Sequence, residues 1–355
     1  MSALLKNGWT TFAAALAASI LTAILTFTRT GAVVVFLISA MALAILAMVV
    51  GQATEQLGNY MGPGATGILQ ASIASMPELF VGFFALRAGL ITVVQSAIVG
   101  SILANSLLVM GLAFLLGGWK NGTQRFASER PRAIVIMMVL SVSALVLPMI
   151  VDAIHTPAEA HEETLSIASA MVLLVVFVAS IPFSLKGGAV GDAVPSSELE
   201  VQHWSSRRGI FVLVVAGIMI AFVSDWFVEA LEPSIESWHI SQAFAGLVIV
   251  AIAGNAVENV VGIQLAIKNK IDYAISIVMN SSLQVALALT PILVLLSYFF
   301  TPVELTLVLP PLLVVALALT AILSALIVYD GESNWLEGLA LVGLYIMIAI
   351  SFWWG

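Results

Sequence analysis

Two glutamates, Glu78 and Glu258, stand 180 residues apart in related surroundings. The run Gly67–Gly82 around the first aligns with Leu247–Gly262 around the second, and the same offset matches Val81 with Val261 and Gly82 with Gly262. Both lie within long apolar stretches. Arg87 follows Glu78 by nine residues and Lys268 follows Glu258 by ten. On helices each carboxyl is then about 14 Å from a charged end, roughly half of a ~30 Å hydrocarbon core. An ionised acid at that depth costs at least ~2.5 kcal/mol, and no lysine or arginine lies deep in either stretch. Each carboxylate must therefore hold a proton, hold a cation or face water. A protonated glutamate hydrogen-bonded between helices is the plain alternative. Its occurrence twice, at one depth in related segments, favours ion handling.

The neighbouring residue types suit a hard cation. Pro77 has no N–H, so the Ile73 carbonyl loses its helical partner, and Gly254 with Asn255 can loosen the second segment at the matching place. Ser75, Ser101, Asn105, Asn255, Ser281, Ser282 and Gln284 add hydroxyl and amide oxygens on adjoining segments. Calcium takes six to eight oxygens in flexible geometry, from carboxylates, carbonyls, amides and water. Small residues also let membrane helices pack closely with no ligand at all, and for any single serine that is the better reading. Glu55, Gln95 and Asp225 are candidates for an ion pathway, with Glu55 and Asp225 near segment ends where capping or interfacial hydration would serve equally. His155 and His161 with Glu162 and Glu163 read as a solvated link rather than a metal site.

The elements that must position these groups are membrane helices. Of the 355 residues 61% are hydrophobic and only 9% charged, against about 25% charged in soluble domains. A net charge of -8 argues against nucleic-acid binding, and the absence of cysteine removes disulfides, thiolate metal sites and cysteine nucleophiles. Eleven apolar segments of spanning length fall near 9–28, 31–51, 64–86, 91–117, 131–151, 165–185, 209–228, 240–267, 272–299, 303–328 and 335–354. If the N-terminus is cytoplasmic, ten of the 12 basic residues fall inside, leaving only Arg29 and Arg87 outside. The segments holding Glu78 and Glu258 then run in opposite directions, the pattern of an inverted-repeat transporter. The fold expected is an all-α polytopic membrane protein of eleven helices arranged as one plus five plus five. Residues 1–30 supply the extra helix, 31–185 the first repeat, 186–208 a cytosolic linker and 209–355 the second repeat. The C-terminus then lies outside, and a prokaryotic inner membrane is the expected location.

Several motifs carry a family resemblance. Gly254-Asn-Ala-Val-Glu258, Val261-Gly262, Lys268-Asn-Lys270 and Asn280-Ser281-Ser-Leu-Gln284 resemble the second repeat of the calcium/proton exchangers. Ala53-Thr-Glu55, Gly64-Ala-Thr-Gly-Ile-Leu, Val94-Gln95-Ser and Gly100-Ser101-Ile-Leu-Ala-Asn105 resemble its first half, and Ser224-Asp225 resembles its Ser-Glu pair. The resemblance covers most of residues 44–300. It implies one plus five plus five helices, with calcium and protons competing for the two glutamates. Two departures bear on the counter-ion: Ser75-Met-Pro-Glu78 looks more like the sodium/calcium exchangers, and Asn280 replaces a common glycine.

The leading expectation is thus a secondary antiporter exchanging Ca²⁺ for H⁺, without a cofactor and without enzymatic activity. The alternatives are an antiporter of the same fold using sodium or potassium, and an intramembrane polyprenyl-phosphate hydrolase. The hydrolase needs a cation to hold phosphate, and all basic residues here lie in links or at segment ends.

Overall fold

A computed structural model describes residues 8–58, 60, 73, 75–126, 129–186 and 204–354. Its helices are α1 (Gly8–Phe27), α2 (Ala32–Gly58), α3 (Met76–Arg87), α4 (Ile91–Asn121), α5 (Glu129–Ala153), α6 (Glu162–Lys186), α7 (Ser206–Trp238), α8 (Gln242–Gly254), α9 (Ala256–Ile267), α10 (Ile271–Phe300), α11 (Pro311–Asp330) and α12 (Trp335–Ser351). Among the described residues eight helices are long and apolar enough to cross a membrane, and α8 with α9 forms a bent pair with an angle of 66° that could make a ninth. Residues 64–72 and 74 of the expected segment near 64–86, including its Gly64–Leu69 motif, and most of the 186–208 linker lie outside the described residues.

The helices fall into two units, Met1–Phe84 with Val178–His239, and Ala85–Phe177 with Ile240–Gly355. In the first, α2 and α7 lie along one another. Phe36 stacks on Phe227 with ring centroids 4.7 Å apart, and Trp238 meets the edge of Phe36 at 5.6 Å. The α1 helix turns Thr11, Ala15, Ser19 and Thr22 inward, one face at helical spacing, and leaves Leu16, Ile20, Ile24 and Phe27 exposed. Apolar residues outside and small or hydroxylated ones inside suit lipid as the outer solvent. The α7 helix has 33 residues, about 50 Å at helical rise and longer than a ~30 Å core. The 209–228 segment therefore continues as helix to Trp238. Asp225, Glu229, Glu232 and Glu236 recur at helical spacing on the exposed side of that continuation, where four carboxylates require water.

In the second unit α4 and α10 are the most deeply buried helices of spanning length. Close backbone crossings put them there. A β-carbon on Gly100 would collide with the Leu247 backbone of α8, and one on Gly246 with the Val93 carbonyl of α4. Gly111 of α4 and Gly338 of α12 meet in the same way. Three wide π turns, Ala104–Val109, Ala245–Val250 and Val285–Leu289, interrupt α4, α8 and α10.

The connection between α10 and α11 departs from the expected 303–328 helix. Residues 303–310 are non-helical, with Leu305, Leu307 and Leu309 buried alternately. Pro310 and Pro311 account for the delay: Pro310 disfavours helix at Leu309, while Pro311 fits the first helical position. Ser297 Oγ accepts from Leu305 N at 2.8 Å, Ser166 Oγ accepts from Leu307 N at 2.9 Å, and Gln95 Nε2 donates to the Thr306 and Val308 carbonyls at 3.1 Å each. A two-stranded antiparallel ladder, β1 (Gln124–Arg125) with β2 (Glu332–Ser333), joins two other connections, and Arg125 pairs with Glu332 at 3.0 Å.

Helix boundaries repeat at the 180-residue offset. The α3 and α9 helices begin at Met76 and Ala256 and end at Arg87 and Ile267, and α4 and α10 begin at Ile91 and Ile271. Gly89 (φ 79°) and Asn269 (φ 59°) take the same left-handed turn between them.

Candidate cation site

Glu258 is the third residue of α9, in its first turn. A negative group is favoured at that end of a helix. The helix begins there because Asn255, at φ -99° and ψ 17°, breaks the path from α8. Its amide fills the break. Asn255 Nδ2 donates to the Ala251 carbonyl at 3.0 Å and to Ser101 Oγ of α4 at 3.1 Å. Asn255 Oδ1 accepts from Ser281 Oγ of α10 at 3.2 Å and from Asn105 Nδ2 of α4 at 3.3 Å. Asn105 Nδ2 also donates to Ser281 Oγ at 2.9 Å. Four of the sequence-derived candidates, Asn255, Ser101, Asn105 and Ser281, thus form one buried polar layer across α4, the α8–α9 break and α10.

The layer retains unused acceptor capacity. Asn105 is fully buried and its Oδ1 has no hydrogen-bond partner. A buried acceptor left without a donor costs ~1–3 kcal/mol, and a cation would offset that cost. Six or more oxygens are needed for calcium, and the side-chain oxygens of Ser101, Asn105, Asn255 and Ser281 gather at this level. The residues present therefore fit a hard cation as cargo.

The other candidates sit elsewhere. Gln284 is partly buried at the end of the regular part of α10, just before its π turn. Gln95 is engaged with the backbone of the 301–310 connection. In the other unit Glu78 is the third residue of α3 and partly buried, and Ser75 stands in the turn that precedes it. Glu55 and Asp225 are both exposed, Glu55 three residues from the end of α2 and Asp225 at the start of the acidic side of α7. His155 Nδ1 lies 3.1 Å from Glu159 Oε2 in an exposed pair, and among the described residues no group of three or more metal-binding side chains assembles.

Sequence reasoning passed over two buried groups near the polar layer, Ser106 and Asn259. Ser106 shares a hydrogen bond of 3.2 Å with Ser282, one of the candidate oxygens, and Asn259 Oδ1 is buried without a partner. Ser106 stands next to Asn105, and Asn259 next to Glu258. Polarity at positions whose repeat equivalents are apolar was the available signal.

A polytopic helical chain with long apolar helices and a buried oxygen layer across a broken helix defines an integral membrane protein of the ion-transporting class. The chain belongs to the sodium/calcium exchanger protein family, whose model matches residues 31–186 and 208–354. It is 36% identical over 340 residues to a "Ca(2+)/H(+) antiporter" of Aphanothece halophytica, covering 90% of this chain and 89% of that one. It is 35% identical over 325 residues to the "Ca(2+)/H(+) antiporter ChaA" of Bacillus subtilis (strain 168), covering 90% and 92%. Among solved structures, that described as native YfkE is 31% identical and superposes with a TM-score of 0.81, covering 97% of this chain and 99% of that one.

Proposed function

We propose that the protein is a secondary antiporter that exchanges Ca²⁺ for H⁺ across a membrane by alternating access. The observation that carries this reading is the similarity, along nine-tenths of the chain, to antiporters named for that exchange. The buried layer around Asn255, three residues before a carboxylate within the membrane, supplies the chemistry that cargo needs. Glu78 and Glu258 bind either ion in turn, helped by Ser75, Ser101, Asn105, Asn255, Ser281 and Gln284, while Glu55, Gln95 and Asp225 belong to the approaches. Calcium is substrate and the proton counter-ion, and no cofactor takes part.

The architecture proposed is eleven helices as one plus five plus five, with repeats of opposite direction. The helix starts and left-handed turns that recur at an offset of 180 support the repeat, and the distribution of basic residues supports a cytoplasmic N-terminus and an external C-terminus in a prokaryotic inner membrane. Residues 186–208 then form the cytosolic linker.

Ion-driven proton flux in everted or reconstituted vesicles, scanned over Ca²⁺, Na⁺ and K⁺, tests the exchange. Proton movement driven by Ca²⁺ is the expected result. A second reading, sodium as counter-ion, is favoured by one observation, the Ser75-Met76-Pro77-Glu78 sequence. Calcium uptake driven by a sodium gradient with no pH dependence would select it.

A further inference from the structure

Each wide π turn closes on a bond that reaches five residues back instead of four. Met110 N–H meets the Asn105 carbonyl in α4, Ala251 N–H the Gly246 carbonyl in α8, and Thr290 N–H the Val285 carbonyl in α10. Such a turn holds one residue more than a regular helical turn and is rare, appearing often at functional sites. Two of the three coincide under the repeat: Asn105 with Met110 and Val285 with Thr290 stand 180 residues apart. Their causes differ. In α10 Pro291 has no N–H, so the Leu287 carbonyl loses its regular partner, and Thr290 Oγ1 donates to the Val285 carbonyl at 2.7 Å. In α4 the equivalent residues are Met110 and Gly111. Neither lacks an N–H and neither adds a hydroxyl.

Packing holds the α4 turn instead. On its N-terminal side a β-carbon on Gly100 would collide with the Leu247 backbone of α8, and on its C-terminal side one on Gly111 would lie 2.9 Å from the Gly338 carbonyl of α12. Ser101 meets Asn255, while Gly111, ten residues on, meets α12. On a regular helix ten residues leave the chain turned by about 280°, and nine by about 180°. The extra residue therefore lets α4 face the α8–α9 break and α12 from opposite sides. Between two fixed crossings the segment cannot turn as a whole. It can pass the extra residue along itself, which rotates each residue crossed by about 100° and leaves both crossings in place. Asn105 is the second residue of the turn. Its Nδ2 donates to Asn255 and Ser281, and its Oδ1, fully buried, has no partner.

We infer that the wide turn of α4 is a movable element of the transport cycle, its extra residue shifting toward the N-terminus of the helix and back, so that Asn105 turns out of the Asn255 layer and returns to it. The inference rests on the exchange reading above. A cation in the layer gives Asn105 Oδ1 the partner it lacks and favours the turn as it stands. Without a cation the orphaned acceptor is a cost that the shift relieves. Cargo and helix shape are linked in this way, because the cation contacts Asn105 in one arrangement and not in the other. The α10 turn, tied by Pro291 and Thr290, keeps its place, and Ser281 stays in the layer throughout.

Deleting Leu108, a partly buried residue inside the turn, removes the extra residue. Ser101 and Gly111 are then nine residues apart on a regular helix, and both crossings stay in phase. The full-length deletion variant should unfold in detergent close to the wild-type temperature and bind Ca²⁺ at equilibrium within about threefold of wild type. Its Ca²⁺-driven proton flux in reconstituted vesicles should fall about tenfold or more. A merely structural role would not separate flux from binding. Wild-type flux in the variant would overturn the inference, and so would a joint loss of flux and binding. If the variant does not accumulate, backbone hydrogen exchange of the purified wild type decides. Amides of residues 106–110 should exchange faster without Ca²⁺ than with it, while those of 93–99 stay the same, and no difference between the two stretches would overturn the inference. A wild type without Ca²⁺-driven proton flux would instead defeat the exchange reading itself.

Discussion

Glu78 and Glu258 each stand third in a 12-residue helix. A carboxylate that alternates between proton and cation cannot be replaced by a neutral amide of the same shape. Glu78→Gln and Glu258→Gln should each abolish Ca²⁺-driven proton flux while leaving thermal unfolding in detergent close to wild type, and substantial flux in either variant would sink the mechanism. Asn255 acts differently, because its amide joins α4 and α10 to the helix break through four side-chain hydrogen bonds with Ser101, Asn105, Ser281 and Ala251. Asn255→Ala leaves the Asn105 amide and the two serines with fewer partners in a buried place. It should cost stability by ~1–3 kcal/mol as well as exchange. The same measurements on the variants thus separate a residue that carries the ion from one that also holds the helices.

At the scale of the element, helix crossings set where these oxygens stand. The contact of α4 with α8 has backbone against backbone at Gly100 and Gly246, and no rotamer change can relieve a β-carbon there. Gly100→Val should destabilise the fold by ~1–3 kcal/mol or more and reduce Ca²⁺ binding, because Ser101 is the next residue and Asn105 lies one turn on. Unfolding by heat in detergent, alongside Ca²⁺ binding, checks this, and a variant with wild-type melting would show that the helices can separate at little cost. The break at Asn255 is a second positioning device. It ends α8 and starts α9, so the N-terminal turn, where a carboxylate is favoured, coincides with Glu258.

For the whole molecule, the proposed competition of protons and calcium for Glu78 and Glu258 predicts a pH dependence of definite sign. On that proposal a proton on either glutamate excludes calcium, so acidification should raise the apparent Kd for Ca²⁺ with little loss of binding sites. Ca²⁺ binding to purified protein across about pH 5.5 to 8.5 measures this, and a flat Kd would mean that protons and calcium do not share these groups. Orientation is open to a direct test because the chain has no cysteine. With the N-terminus cytoplasmic, Lys268→Cys should react with a membrane-impermeant maleimide only from the cytoplasmic side, and His161→Cys only from outside. Labelling of both from the same side would overturn the arrangement of repeats.

Composition and the spacing of apolar stretches were enough to read a helical membrane protein, because a ~30 Å hydrocarbon core admits long apolar helices and little else. The repeat was legible too, since Glu78 with Glu258 and Ser101 with Ser281 recur at one offset, and an acid within a span is costly enough to single itself out. Which oxygens meet could not be read that way. Asn255 touches Ser101 and Asn105, more than 100 residues earlier, only because the 66° bend and the glycine crossings bring α4, α9 and α10 together. Nothing local marks Gln95 as a backbone tether, Asn259 as a buried acceptor or the acidic side of α7 as a water-facing continuation of a span. The types of the ion-handling groups are thus local in origin, set by the cost of polarity in lipid. Their partners are decided by packing between helices, which one-dimensional spacing does not contain.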